Sequence, residues 1–220
     1  MTMRIAAQLI SIVFHPLVLF VYMIAVLMLM NPYMFRYNNI GEATDFFVWL
    51  CLMVIPIPLI TVFMMKGLGW AESITLKNRE ERIAPYLVTG LLYLVMYLQL
   101  VKINSSVALQ VATLAGVITL FGAFFANNFY KISLHAAASG AVVSMVILTL
   151  IYYSGDTFLL RWNELNFGEM SSVSVLYISI ILAGVICTAR MYLKEHVISE
   201  IYSGLVLGFF APLIAYYFVT

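Results

Sequence analysis

The chain alternates between long apolar stretches and shorter polar connections. Seven apolar stretches are each near the ~20 residues that a helix needs to cross a bilayer. We predict spans over residues 6–30, 45–66, 84–101, 107–127, 136–153, 172–189 and 201–219. None shows the polar and apolar alternation of a transmembrane β-strand. The pattern therefore predicts an all-α fold, a polytopic transmembrane helix bundle of about six to seven spans.

Several connections between the spans are short, which favours antiparallel neighbours in one bundle. Because the chain shows no internal repeat or flexible linker, we expect residues 1–220 to form a single integral membrane domain. The composition agrees, since 64% of the 220 residues are hydrophobic and 10% are charged, against about one quarter charged in soluble domains. The formal net charge is +1 and there is no basic run, so nucleic acid is not an expected partner.

The connections after the second, fourth and sixth spans lie on the membrane face that also holds the N-terminus. Their notable polar residues are Lys77, Arg79, Arg82, Lys131, Ser133, His135, Arg190, His196 and Glu200. Three clusters that are far apart in sequence are therefore predicted to meet at one membrane surface. The alternative is that this face simply carries more charge.

The last cluster has the spacing Arg190-x5-His196-x3-Glu200. On a helix, His196 and Glu200 share a face, so the carboxylate can fix the imidazole tautomer and leave the other nitrogen free for chemistry. Arg190 carries a planar, fork-shaped cation suited to phosphate. The alternative is an interfacial helix whose charged side chains reach to the membrane surface.

The middle cluster is KISLHAAASG at residues 131–140, where the fifth span begins. Backbone N–H groups at a helix start, together with the Ser133 hydroxyl and the Lys131 ammonium, would hold a phosphate. His135 could protonate a leaving oxygen. The alternative is that Ser133 only caps the helix, Lys131 anchors it at the interface and His135 packs.

Taken together, the clusters resemble the type 2 phosphatidic acid phosphatase superfamily, whose signature is K-x6-R-P, then P-S-G-H, then S-R-x5-H-x3-D. The order of the motifs matches, and the resemblance covers about residues 77–210. The third motif corresponds to Ala189-Arg190-x5-His196-x3-Glu200 and is the strongest part. The second corresponds to Ile132-Ser133-Leu134-His135, and the first to Lys77-x6-Ala84-Pro85.

This chain departs from the family pattern at several positions. Ala84 occupies the position of the first-motif arginine, and Arg79 or Arg82 could supply the missing cation from about one turn earlier. Leu134 replaces the second-motif glycine, and Glu200 replaces the third-motif aspartate. The chain is therefore expected to be a divergent relative, in which activity could be weakened or lost.

The resemblance implies a metal-independent lipid phosphatase without a cofactor. His196 would attack phosphorus and become a phosphohistidine, held by Glu200, while His135 protonates the leaving lipid oxygen and then activates water. The groups expected to bind the phosphate oxygens are Arg190, Lys77, Arg82, Arg79, Ser133 and Lys131. The substrate would be a lipid phosphate or diphosphate.

The sequence is also compatible with two other functions. One is a non-enzymatic lipid-phosphate binder or carrier that retains the anion-binding groups, and the other is a small transporter in which the clusters are interface charges. A structure with His135 and His196 far apart would favour the transporter. We expect a multi-pass protein of the cell membrane, with compact loops typical of a bacterial inner membrane. The face that holds the site is left open, because the positive-inside rule and the resemblance point to opposite sides.

Two further features concern helix geometry. His15-Pro16 lies midway along the first predicted span, where proline kinks a helix, and a neutral His15 is expected to stabilise that kink rather than to act in chemistry. Gly204-x3-Gly208 in the last span, and Ala136 with Gly140 in the fifth, predict close helix packing.

Overall fold

The computed structural model describes residues 2–72, 76, 78–162 and 165–220. Its helices are α1 (Thr2–Val13), α2 (Pro16–Met30), α3 (Thr44–Val54), α4 (Pro56–Gly67), α5 (Ile83–Lys102), α6 (Val107–Asn127), α7 (Leu134–Tyr152), α8 (Ser172–Tyr192) and α9 (Ile198–Val219). Short 3-10 turns cover Pro32–Phe35, Ile40–Ala43 and Glu80–Arg82. Two strands, β1 (Thr157–Trp162) and β2 (Leu165–Ser171), form an antiparallel hairpin.

The predicted helical membrane bundle is confirmed. Among the described residues, six helical segments are long and apolar enough to cross a bilayer, or seven if the bent pair α1 and α2 counts as one span. The ends of the helices match the predicted spans to within a few residues, although the second predicted span is divided into α3 and α4 at Ile55. The hairpin was not predicted, because residues 154–171 read only as a polar connection in the sequence.

The first predicted span is two helices, bent by 63° at the His15-Pro16 junction. Proline at the first position of α2 cannot continue the hydrogen-bond ladder of α1, which explains the break. His15 was expected midway through the membrane. It lies instead beside His135 in the first turn of α7, so the break is at the end of the bundle where α7 begins. At the opposite end, the Asn31 side-chain amide donates to the Tyr153 carbonyl after α7.

The closest helix pair is α7 with α9, and glycine makes the approach possible, as predicted. A β-carbon on Gly204 would lie 2.5 Å from the Ser133 carbonyl oxygen, and one on Gly208 would overlap the Ala137 carbonyl. Gly140 in turn faces the Leu205 carbonyl. Small residues allow backbones to pack at this distance. The pairing fixes the start of α7 against the start of α9, where the second and third clusters lie.

Candidate functional site

The site is built at one end of the bundle, where four chain segments meet. These segments are the 3-10 turn Glu80–Arg82, the start of α7, the end of α8 and the start of α9. A main-chain hydrogen bond from Ser133 N to Glu200 O, 3.2 Å long, joins the second cluster to the third. A hydrogen bond from Arg82 to the Ile132 carbonyl joins the first cluster to the second, so described parts of all three clusters meet at this end of the bundle.

His196 is the most buried titratable group of the third cluster, with 7% of its surface exposed. Its Nδ1 lies 2.7 Å from Glu200 Oε2. Since an ionised carboxylate only accepts, Nδ1 carries the proton and Nε2 keeps a free lone pair when the ring is neutral. The Nε2 lone pair is the atom that a nucleophilic histidine uses.

The charges around His196 favour that neutral ring. Burial, followed by the cations Arg82, Lys131 and Arg190, lowers the pKa of His196 to about 3. The contact with Glu200 raises the pKa of His196. The lowering prevails because the ring is removed from water and three cations are near it. The lone pair on Nε2 is therefore available at neutral pH.

His135 faces the same cavity from the first turn of α7. Its Nε2 lies 3.1 Å from the Ser11 carbonyl oxygen of α1. A carbonyl only accepts, so Nε2 is the protonated nitrogen of His135 and Nδ1 is the one left for chemistry. In this tautomer a neutral His135 can accept a proton from water, and a protonated His135 can give one to a leaving oxygen.

Two guanidinium groups border the cavity beside these histidines. Arg82 is 7% exposed, and it donates from Nε to the Leu76 carbonyl at 2.8 Å and from a terminal nitrogen to the Ile132 carbonyl at 3.5 Å. Arg190 has a buried Nε without a hydrogen-bond partner among the described residues. Within that part of the chain, neither arginine forms an ion pair with a carboxylate. Because an uncompensated buried cation is costly, this end of the cavity is suited to an anion.

Other predicted site residues lie outside the cavity lining. Arg79 pairs with Glu80 at 3.0 Å and is half exposed, so Arg82 is the candidate of the two that reaches the cavity.

Lys131 donates to the Glu195 carbonyl at 2.7 Å, and burial, followed by Arg82, lowers the pKa of its ammonium. Ser133 is fully buried, and its hydroxyl accepts from Ala136 N as the cap of α7. Lys77 lies outside the described residues.

The cavity has a volume of about 510 Å³ and two chemically different parts. Its polar end holds Arg82, His135, Arg190 and His196, together with His15. The rest runs between α2, α5, α6 and α7 and is largely apolar, with Phe20, Met23, Tyr93, Ala115 and Met145 among its lining residues. An anionic head group joined to a hydrocarbon chain fits this division.

His15 was not predicted as part of the site. Its ring centroid lies 5.7 Å from that of His135, at an interplanar angle of 83°. The sequence did carry a signal, because an ionisable residue inside a predicted span is a functional candidate by default. The adjacent Pro16 offers a structural explanation for a histidine at this position, and the sequence alone therefore favours a role in the kink.

Comparisons with models of protein families, with curated proteins and with solved structures find no match to this chain.

Proposed function

We propose that this protein is an integral membrane phosphatase that hydrolyses a lipid phosphate or diphosphate through a phosphohistidine at His196. One observation carries the proposal: His196, held by Glu200, faces a cavity that is also lined by two guanidinium groups without carboxylate partners among the described residues. A nucleophile, its orienting base and an anion site are then next to one another, as phosphoryl transfer requires.

The first half-reaction transfers the phosphoryl group to the protein. His196 Nε2 attacks phosphorus, the bond between phosphorus and the leaving oxygen breaks, and its electron pair goes to that oxygen, which takes the Nδ1 proton of a His135 imidazolium. Glu200 stabilises the imidazolium that develops on His196. Arg82 and Arg190 stabilise the charge on the equatorial oxygens. Lys131, outside the cavity lining, adds positive charge nearby.

The second half-reaction restores the protein. His135, now neutral, accepts a proton from water through Nδ1, and the water oxygen attacks phosphorus as the bond to His196 Nε2 breaks. Inorganic phosphate then leaves from the polar end of the cavity. The chain's own cations supply the electrostatic stabilisation in both steps.

The apolar part of the cavity would bind the substrate's hydrocarbon. The cavity's volume of about 510 Å³ lies within the range of about 300–1,000 Å³ that is usual for ligand pockets. That is room for a head group and part of one chain, while the remainder of the lipid stays in the bilayer.

The test is phosphate release from lipid phosphates and diphosphates by the purified protein and by His196→Ala. Wild type should release phosphate, and His196→Ala should lose activity by about a thousandfold or more, since it lacks the nucleophile. Incubation with labelled substrate should also leave an acid-labile label on wild type and none on His196→Ala. Equal release by the two proteins would refute the assignment.

Ala84 favours a second candidate function, that of a lipid-phosphate binder or carrier without turnover. Ala84 occupies the place of a motif arginine, which removes one cation from the site. This alternative gains support if wild type binds lipid phosphate in the same assay yet releases none. The transporter hypothesis gains nothing, since His135 and His196 line one cavity.

A further inference from the structure

His15 begins α2 at the break between α1 and α2, and its tautomer is determined by the backbone. Its Nδ1 accepts a hydrogen bond from Leu17 N at 3.4 Å, as a helix cap does. A neutral imidazole that accepts at Nδ1 carries its proton at Nε2. The remaining nitrogen of His15 is therefore an N–H donor.

The side chain of His15 is exposed, and it lines the cavity. Its ring meets the His135 ring edge to face. The carbonyl of Ser11, one turn earlier, accepts from His135 Nε2. These two contacts hold the α1–α2 junction against the start of α7, so the His15 donor has a defined place in the cavity.

The ring of His15 packs against that of His135, with 5.7 Å between the ring centroids. His135 lines the same cavity as His196 and is the residue that protonates the leaving oxygen in the proposed mechanism. In an in-line displacement the leaving group departs on the side opposite to the nucleophile. The contact with His135 therefore places His15 beside the leaving group.

We propose that His15 binds the phosphate that departs with the lipid, and so makes the site selective for lipid diphosphates over lipid monophosphates. This inference rests on the proposed function. With a diphosphate, the bond between the terminal phosphorus and the bridging oxygen breaks, and the electron pair stays on that oxygen, which becomes part of a lipid monophosphate. His15 Nε2–H donates to this second phosphate. A lipid monophosphate leaves as an alcohol and offers only carbon at that position.

The experiment compares farnesyl diphosphate with farnesyl monophosphate, which share one hydrocarbon chain. His15→Ala removes both the helix cap and the donor, whereas His15→Asn keeps a side chain that caps well but cannot reach as far. A hydrogen bond to a charged group contributes about 1.5–3 kcal/mol, which corresponds to about 10- to 100-fold in rate. In both variants the ratio of kcat/KM on the diphosphate to kcat/KM on the monophosphate should fall by that factor, whatever loss the two substrates share.

Two results would overturn the assignment. Equal losses on both substrates would show that His15 acts on the fold or on the chemistry common to both. Full recovery in His15→Asn would reduce His15 to a helix cap. Thermal unfolding midpoints of both variants identify losses that come from misfolding, and a variant that unfolds is replaced by His15→Gln in the same comparison.

A binding measurement separates this inference from the proposed enzymatic function. Wild type should bind inorganic diphosphate more tightly than inorganic phosphate in calorimetry, and His15→Ala should lose that preference whether or not any substrate is turned over. Absence of turnover together with this binding pattern would refute the phosphatase and leave the His15 site in place. Equal affinity of wild type for both anions would refute the His15 site alone.

Discussion

His196 and Glu200 are joined by a contact of 2.7 Å between Nδ1 and Oε2, and the same carboxylate begins a helix. Glu200 Oε2 also accepts from Val197 N at 3.4 Å, so it caps the first turn of α9. The position of the candidate nucleophile is thus fixed by the start of that helix. A motif that reads as i, i+4 spacing in the sequence is a capped helix start in the structure.

Glu200→Gln keeps the size of the side chain but removes its charge. We expect kcat to fall by about 10- to 100-fold, because a charge-assisted hydrogen bond contributes about 1.5–3 kcal/mol. Glu200→Asp keeps the charge but shortens the reach, and should retain more activity than Glu200→Gln. The measurement is phosphate release at saturating substrate. Unchanged kcat in Glu200→Gln would remove Glu200 from the mechanism.

Arg82 and Arg79 are a matched pair, since they lie three residues apart and only Arg82 borders the cavity. Arg82→Ala should lower kcat/KM by about 100-fold or more, the usual cost of losing a donor to transition-state charge. Arg79→Ala should change it by less than about threefold, because its ion pair with Glu80 is exposed. The reverse order would assign the missing motif cation to Arg79. The free energy of unfolding should be measured for both, as Arg82 also holds the Ile132 carbonyl.

The α7–α9 contact predicts a sharp difference between two helical glycines. Gly208→Ala inserts a methyl group into the Ala137 carbonyl and should destabilise the protein by several kcal/mol, about what severe overpacking costs. Gly184→Ala in α8 is the control, since nothing lies within 4 Å of its added carbon. It should be neutral or stabilise by about 0.5–1 kcal/mol, as alanine does in a helix. Detergent-solubilised thermal unfolding measures both, and similar midpoints would contradict the close packing.

Hydropathy was sufficient to predict the number of spans, because every span must satisfy its backbone inside lipid and so must be a long apolar helix. The glycine contact was also predictable, since spacing of four places both glycines on one helix face. The depth of His15 in the membrane was not predictable from the sequence. Pro16 predicts that a kink exists but not where it lies in the membrane, and that depends on the packing of α1 against α8 and of α2 against α7.

The sequence predicted which clusters meet at one end of the bundle better than which of their side chains line the cavity. The spacing of His196 and Glu200 predicted their contact through one helical turn, whereas in the structure His196 precedes α9 and meets Glu200 across the capped start of that helix. Arg82 could not be distinguished from Arg79 by spacing, since the choice depends on which side chain the 3-10 turn Glu80–Arg82 directs into the cavity. Ser133 was expected to bind phosphate, and its full burial as a helix cap became apparent only with α9 packed over it.

The lowered pKa of His196 predicts how stability depends on pH. An unfolded histidine titrates near pH 6.5, whereas His196 in the folded protein has a pKa of about 3. Below pH 6.5 the unfolded chain therefore binds a proton that the folded protein does not. The contribution of neutral His196 to stability is complete above pH 6.5 and is lost as the pH falls towards 3.

The measurement is the free energy of unfolding in detergent between pH 7 and pH 5 for wild type and for His196→Gln, which has no titrating ring. The difference between the two proteins should shift against wild type by about 2 kcal/mol over that interval, from proton linkage. Parallel curves would show that His196 keeps an ordinary pKa in the folded protein. Its attraction to Glu200 would then outweigh the effects of burial and of the three cations, and His196 would be protonated, and unable to attack phosphorus, over much of the acidic range.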